Sequence, residues 1–129
     1  MIEVKNVTKS FDDKTILHDV STKFHAGMTN LIIGQSGSGK TVLVKSIIGL
    51  VEPEKGEILY DGRDFLKMTL PQKKQLRTEI GMLFQGSALF DNETVLGNVM
   101  FPLKMFSNMT PAEMKDRAEF CIERVNLKG

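Results

Sequence analysis

The sequence predicts an α/β fold: an antiparallel β layer, then a strand–loop–helix core, then a helical segment. Three observations predict it. Residues 2–33 carry short extended patterns separated by turn residues. The apolar run Leu31-Ile32-Ile33 leads directly into the glycine-rich stretch Gly34-Gln35-Ser36-Gly37-Ser38-Gly39-Lys40-Thr41. From Thr41 onward helical spacing takes over, and it is clearest near the end of the chain.

Taken in order, Ile2, Val4 and Val7 give a loose alternation, and Asp12-Asp13-Lys14 marks a turn. Val20 to His25 is a second extended stretch, closed by Ala26-Gly27. Thr29 to Ile33 reads as a short strand, apolar enough to be buried on both faces. Leu43, Val44, Ile47, Ile48 and Val51 then recur at helical spacing; Gly49 weakens the end of that helix and Pro53 stops it. Glu57 to Phe65 predicts a hairpin turning at Asp61-Gly62, residues that accept positive φ. Pro71 opens a short helix through Arg77, and Ile80 to Phe84 reads as another short apolar strand, ending at Gln85-Gly86-Ser87. Thr94 to Phe101 is amphipathic, with a break expected at Pro102. Thr110-Pro111-Ala112-Glu113 spells a capping box, and Met114, Ala118, Cys121, Ile122 and Val125 line one face of the helix it opens. No internal repeat, low-complexity tract or linker interrupts the 129 residues.

Composition narrows the class. With 41% hydrophobic and 26% charged residues the chain is an ordinary globular one, long enough for one domain with a core. Lys and Arg number 17 against 16 Asp and Glu, so no basic excess points to nucleic acid. Cys121 is the only cysteine, which excludes an intrachain disulfide, fits a reduced cytosolic setting and reads as a small core residue. No apolar run reaches the roughly 18 to 20 residues that span a bilayer. Met1-Ile2-Glu3-Val4-Lys5 lacks the pattern of a signal peptide. The expectation is a soluble chain whose membrane connection, if it has one, runs through a partner.

Gly34 to Thr41 fits G-x-x-x-x-G-K-[ST], a phosphate-binding loop, and its flanks are the required strand and helix. Glycines let the backbone curl closely enough for successive N–H groups to point at phosphate oxygens. Lys40 brings a cation to the terminal phosphates, and the Thr41 hydroxyl suits Mg²⁺. The helix that follows presents its positive N-terminal end to the same anion. Together these residues specify a nucleoside-triphosphate pocket or part of one.

At this point the chain resembles the ATP-binding subunits of ABC transporters, over nearly all of its length. Phe11, in Thr8-Lys9-Ser10-Phe11, stands where that family places an aromatic residue that stacks on adenine; the lesser alternative is a strand-end core aromatic. Gln85, in Met82-Leu83-Phe84-Gln85, looks like the family's Q-loop glutamine, which ligates Mg²⁺ or holds the attacking water and links nucleotide state to a partner. Leu83 to Asp91, then Thr94-Val95, Asn98-Val99 and Phe101-Pro102-Leu103, look like the branch serving Mce-type and maintenance-of-lipid-asymmetry transport. The resemblance implies a P-loop NTPase fold with an antiparallel β layer and a RecA-like core over 1–91, and the start of a helical subdomain over 92–129. It implies ATP and Mg²⁺ as cofactors and Lys40 and Gln85 as catalytic residues. It also implies a second ATP-binding subunit in a homodimer, a membrane-spanning permease, and a cytoplasmic position against the inner membrane through those partners. The transported substrate would be a phospholipid or another hydrophobic molecule.

The departures from the family are as informative. A Walker B strand ending in Asp-Glu, a Leu-Ser-Gly-Gly-Gln signature and a switch histidine are all missing from these residues. Ile58-Leu59-Tyr60-Asp61 is followed by the turn residue Gly62, and Ala88-Leu89-Phe90-Asp91 by Asn92, so neither supplies the carboxylate pair that holds Mg²⁺ and polarises water. His18 and His25 precede the phosphate loop and read as strand or loop residues. The expectation is an N-terminal portion of the family's domain, ending at Val125 to Gly129 near where the signature approaches. The strands that lie between the phosphate-loop strand and the Gln85 strand would belong to the other half. Such a piece would hold phosphates, be marginally stable and not turn over ATP. Two other classes share the loop. One is a P-loop kinase or GTPase, of which the GTPase is disfavoured because no Asn-Lys-x-Asp tetrad occurs; the other, a truncated non-catalytic module that binds nucleotide or a partner, remains open.

Overall fold

Strands β1 (Ile2–Phe11) and β2 (Lys14–Phe24) form an antiparallel hairpin across the Asp12-Asp13 turn, so the second strand starts well before Val20. In this computed structural model residues 1–86 and 88–127 are described, and Ser87, Lys128 and Gly129 of the readings above lie outside them. The chain divides into two compact units, Met1–Ile80 and a second that begins at Gly81.

In the first unit β3 (Lys55–Tyr60) pairs with β1 and with the two-residue β4 (Arg63–Asp64), giving a fully antiparallel sheet in the order β2-β1-β3-β4. The β3–β4 hairpin turns where the sequence places it, with Asp61 at φ 47° and Gly62 at φ 80°, the doubly positive turn that matches strand twist. Bulges interrupt the β1–β2 register, and side-chain hydroxyls take over the displaced ladder donors: Asn6 N donates to Ser21 Oγ and Asp19 N to Thr8 Oγ1. Helix α1 (Lys40–Ile47) lays Leu43 and Ile47 onto this sheet. They join Val4, Val7, Leu17, Ile58, Tyr60 and Phe65, and Leu76 of α2 (Leu70–Arg77) completes the cluster. Burying such side chains is worth about 1.5–3 kcal/mol each, so this cluster is what holds α1 in place.

Two expected strands are not strands. Thr29 to Ile33 and Ile80 to Phe84 belong to no ladder among the described residues, and Leu31, Ile33 and Leu83 are 81%, 80% and 92% exposed. A strand exists only through a neighbour that takes its N–H and C=O groups, and the sheet places none beside either run. An open groove of about 540 Å³ runs along the first of them, lined by Phe24, Ile32 and Leu43 among others.

The second unit is a helical hairpin of α3 (Val95–Phe106) and α4 (Pro111–Arg124). The break expected at Pro102 does not occur: α3 runs through it. Half-buried Leu96, Val99, Met100 and Leu103 form one stripe across the proline, and packing of that stripe outweighs one lost hydrogen bond. Asn98 anchors the segment before the helix, its Oδ1 accepting from Phe90 N and its Nδ2 donating to Phe90 O and Thr94 O. Phe90 meets Phe101 edge-on with ring centroids 4.7 Å apart. Along α4 the expected face holds for buried Ala118 and half-buried Met114, Cys121 and Ile122, while Val125 is exposed.

Candidate phosphate-binding site

Residues 34–39 form a tight loop whose last glycine is the N-cap of α1. Gly39 stands at φ 93°, and a Cβ there would lie 3.1 Å from both Ile16 O and Leu17 Cδ2 of β2. Only glycine combines that dihedral with that approach, so the start of α1 is seated directly on the sheet. Ser38 N donates to Gln35 O at 3.1 Å, closing the turn, and Leu43 N to Gly39 O at 2.8 Å begins the helix.

The helix N-termini are headed differently. Thr94 and Thr110 cap α3 and α4 by accepting from the Gly97 and Glu113 amides, and Thr69 heads α2. No side chain caps α1, and no acid lies in its first turn. Its N-terminal amides thus meet no capping side chain, at the positive end of a helix fixed by its buried face.

Lys40 is the first residue of α1, and its Nζ folds back to donate to Gly34 O at 2.6 Å and Gln35 O at 2.7 Å. The cation thus lies across the loop, held by two neutral carbonyls. A charged phosphate oxygen is a stronger acceptor than either. Thr41 is exposed on the first turn, next to Lys40. A hydroxyl oxygen beside phosphate oxygens is the donor chemistry Mg²⁺ takes, whereas the described residues hold no group of three or more His, Cys, Asp or Glu side chains suited to a metal.

Phe11 ends β1 and is 45% exposed, with Lys9 Nζ over its ring 5.1 Å from the centroid. Register ties it to the loop. Lys9 pairs with Leu17, and Ile16 and Leu17 are what Gly39 packs against. The loop before α1 therefore packs on β2, the strand that pairs with the Phe11 end of β1. Gln85 is exposed at a bend of the second unit, beside Gly86. The structure brings Phe11, Lys40, Thr41 and the residues from Gly34 to Gly39 together in the first unit, and places Gln85 in the other.

Some residues that shape the site were not read from the sequence. Glu54 accepts from Lys9 Nζ at 2.7 Å and from Ser10 N at 2.8 Å, and no local signal joins residues so far apart. Foremost the Lys9 ammonium, with help from the Ser10 amide and against partial desolvation, holds the Glu54 carboxyl below its ordinary range. Arg77 donates to Ile48 O at 3.3 Å and Gly49 O at 2.9 Å, placing a cation on the negative end of α1. The capping box at Thr69 and Gln72 was legible, since Thr69-Leu70-Pro71-Gln72 spells one.

Comparison with known proteins follows the same outline. The chain is 39% identical over 128 residues to the probable ribonucleotide transport ATP-binding protein mkl of Mycobacterium leprae, covering 99% of this chain and 37% of that protein. It is 42% identical over 127 residues to the spermidine/putrescine import ATP-binding protein PotA of Nitrosomonas eutropha, covering 98% and 33%. It is 36% identical over 129 residues to the intermembrane phospholipid transport system ATP-binding protein MlaF of Haemophilus influenzae, covering 100% and 49%. The chain thus spans a third to a half of these curated relatives. Its fold matches the dimeric structure of MJ0796, a bacterial ABC transporter cassette, with a TM-score of 0.84 and 31% identity, over 95% of this chain and 56% of that one. The same cassette bound to ADP and Pi in a post-hydrolysis state matches at 0.83 and 30%, with the same coverage. Residues 17–129 match the family described as ABC transporter, and this chain belongs to that family as part of its ATP-binding domain.

Proposed function

We propose that Gly34 to Thr41 binds the phosphates of ATP and that the whole protein is the energy-coupling ATPase subunit of a transporter. The observation that carries this is an uncapped helix N-terminus, seated on the sheet at Gly39, with Lys40 folded over the loop before it. Gly34, Gln35, Ser36, Gly37, Ser38 and Gly39 offer backbone to the phosphates, and Lys40 leaves its two carbonyls for the terminal ones. Phe11 gives the base a flat apolar face. Mg²⁺ would neutralise phosphate charge, with the Thr41 hydroxyl as an oxygen of this unit that would hold it; Gln85 is the further oxygen that the family resemblance implies. Lys40 and Gln85 are the catalytic residues these positions supply.

A second copy of the subunit and a membrane-spanning permease complete the assembly, which holds the protein against the inner membrane. The dimeric MJ0796 cassette supports the first, and the family supports the second. A phospholipid or other hydrophobic substrate is the reading favoured by the segment after Gln85 and by the likeness to MlaF. Mkl and PotA, named for ribonucleotides and polyamines, are the competing alternatives. Turnover belongs to the whole protein, because no Asp-Glu pair follows an apolar strand in these residues.

The test is nucleotide affinity in wild type and Lys40→Ala, measured with a fluorescent ATP analogue and Mg²⁺. Loss of a charge-assisted contact to phosphate weakens binding by about tenfold or more. Equal affinity in the two proteins removes the loop from the site, and a preference for GTP over ATP counts against the transporter reading.

A further inference from the structure

The end of β1 is held in an unusual way. Backbone pairing between β1 and β3 stops at Thr8 and Lys55, with Glu54 N donating to Thr8 O at 3.0 Å just beyond. Past that point Ser10 N still needs an acceptor on the β3 side, and the Glu54 carboxylate provides it at 2.8 Å. The carboxylate thus extends the ladder by side chain where the backbone has run out. Its other oxygen accepts from Lys9 Nζ at 2.7 Å, and that ammonium lies 5.1 Å from the Phe11 ring centroid. Only 16% of the Lys9 side chain is exposed, so the cation is lodged and not waving in solvent. On the opposite edge, β2 holds the same residues through the Ser10–Thr15 and Phe11–Lys14 pairs, with Ser10 Oγ 3.1 Å from Thr15 Oγ1.

We propose that Glu54 is a positioning residue for base recognition: through Ser10 N and Lys9 it fixes the Phe11 ring and reserves one ring face for Lys9, leaving the other to the nucleotide base. The inference rests on the reading of Gly34 to Thr41 as a phosphate site and of Phe11 as the platform beside it. Three consequences follow from chemistry already described. A lodged ring loses less freedom when a base stacks on it than a free one does. A cation on one face polarises the ring and commits the base to the other. Glu54 touches no phosphate-loop residue in its hydrogen bonds, so its effect belongs to the base and not to the triphosphate.

The experiment compares ATP with tripolyphosphate, which has phosphates and no base, by titration calorimetry in the presence of Mg²⁺. Glu54→Ala is expected to weaken ATP by about fivefold while tripolyphosphate changes by less than about twofold, the size of a partial loss of aromatic stacking. Glu54→Gln keeps an acceptor for Ser10 N but no charge for Lys9, and is expected to fall between wild type and Glu54→Ala. In a Phe11→Ala background Glu54→Ala is expected to add nothing, since the ring it positions is gone. Equal losses for both ligands, no loss for ATP, or additive losses with Phe11→Ala overturn the proposal. If Glu54→Ala does not fold, the ATP-to-tripolyphosphate ratio in Glu54→Gln decides by the same criterion. If wild type binds neither ligand, the phosphate-site reading itself fails and takes this inference with it. Wild-type binding with an unchanged ratio sinks Glu54 alone.

Discussion

The Tyr60 hydroxyl donates to Ile47 O at 2.7 Å, a buried bond between the end of β3 and the last residue of α1. It ties the sheet to the helix that follows the glycine-rich loop. At one end of α1 Gly39 rests on β2; at the other Tyr60 and Arg77 hold carbonyls that a helix terminus leaves open. The helix is therefore pinned at both ends.

Removing the hydroxyl in Tyr60→Phe strands the Ile47 carbonyl in the core. The expected cost is about 1–2 kcal/mol in chemical denaturation. The pH dependence gives a sharper signature. Burial pushes the Tyr60 phenol up to about 12 from an ordinary 10. Because the folded value exceeds the unfolded one, this stabilisation is complete below pH 10 and is lost as pH rises toward about 12. Wild type should lose stability across that window more steeply than Tyr60→Phe; parallel curves would show that Tyr60 is not responsible.

Gly49 ends the run of α1 at φ 74°, and a Cβ there would sit 2.4 Å from the Phe65 ring and 2.9 Å from Arg77 Nη2. Phe65 is buried and cannot step aside without disturbing Tyr60, whose ring centroid is 5.9 Å away. Gly49→Ala is expected to destabilise by about 2 kcal/mol or more, from strain and overpacking together. A denaturant midpoint equal to wild type would contradict this.

Pro102 interrupts α3 without ending it. Proline has no N–H for the Asn98 carbonyl one turn back, and its ring crowds that turn. Pro102→Ala should therefore stabilise the helical unit by roughly 1–3 kcal/mol, seen as slower amide exchange in α3. Faster exchange would mean the proline fits its surroundings better than an alanine.

Glu113 accepts from Thr110 N at 2.7 Å and from Thr110 Oγ1 at 2.9 Å. The Thr110 amide foremost, then its hydroxyl, hold the Glu113 carboxyl below its ordinary 4.5. A depressed folded value means the cap contributes above pH 4.5 and is lost as pH falls through the lower one. The Thr110 amide proton should shift with a midpoint below 4.5, and Glu113→Gln should abolish that titration. A midpoint at or above 4.5 would mean that no such bond forms.

Much of the candidate site was legible because it is local. Gly34 to Thr41 is a contiguous motif in which each residue type answers a backbone or charge requirement, and the Asp61-Gly62 turn and the Thr110 capping box are likewise contained within a few residues. Thr29 to Ile33 and Ile80 to Phe84 misled for the complementary reason. Their apolar character marks a strand, but a strand is completed by another segment, and no segment of this sheet pairs with them. Pro102 misled because a local rule met a packed stripe that outweighed it.

By itself the sequence determined the tight glycine-rich loop that opens α1, the antiparallel hairpins and the Thr110 cap, since these depend on dihedral preference, charge and hydrogen bonding within a short span. Only the tertiary structure decided which face of Phe11 is taken, that Glu54 replaces a missing backbone partner for Ser10, and that Tyr60 and Arg77 hold the far end of α1. Those contacts join residues distant in sequence, and their partners are chosen by how the sheet's register brings side chains together.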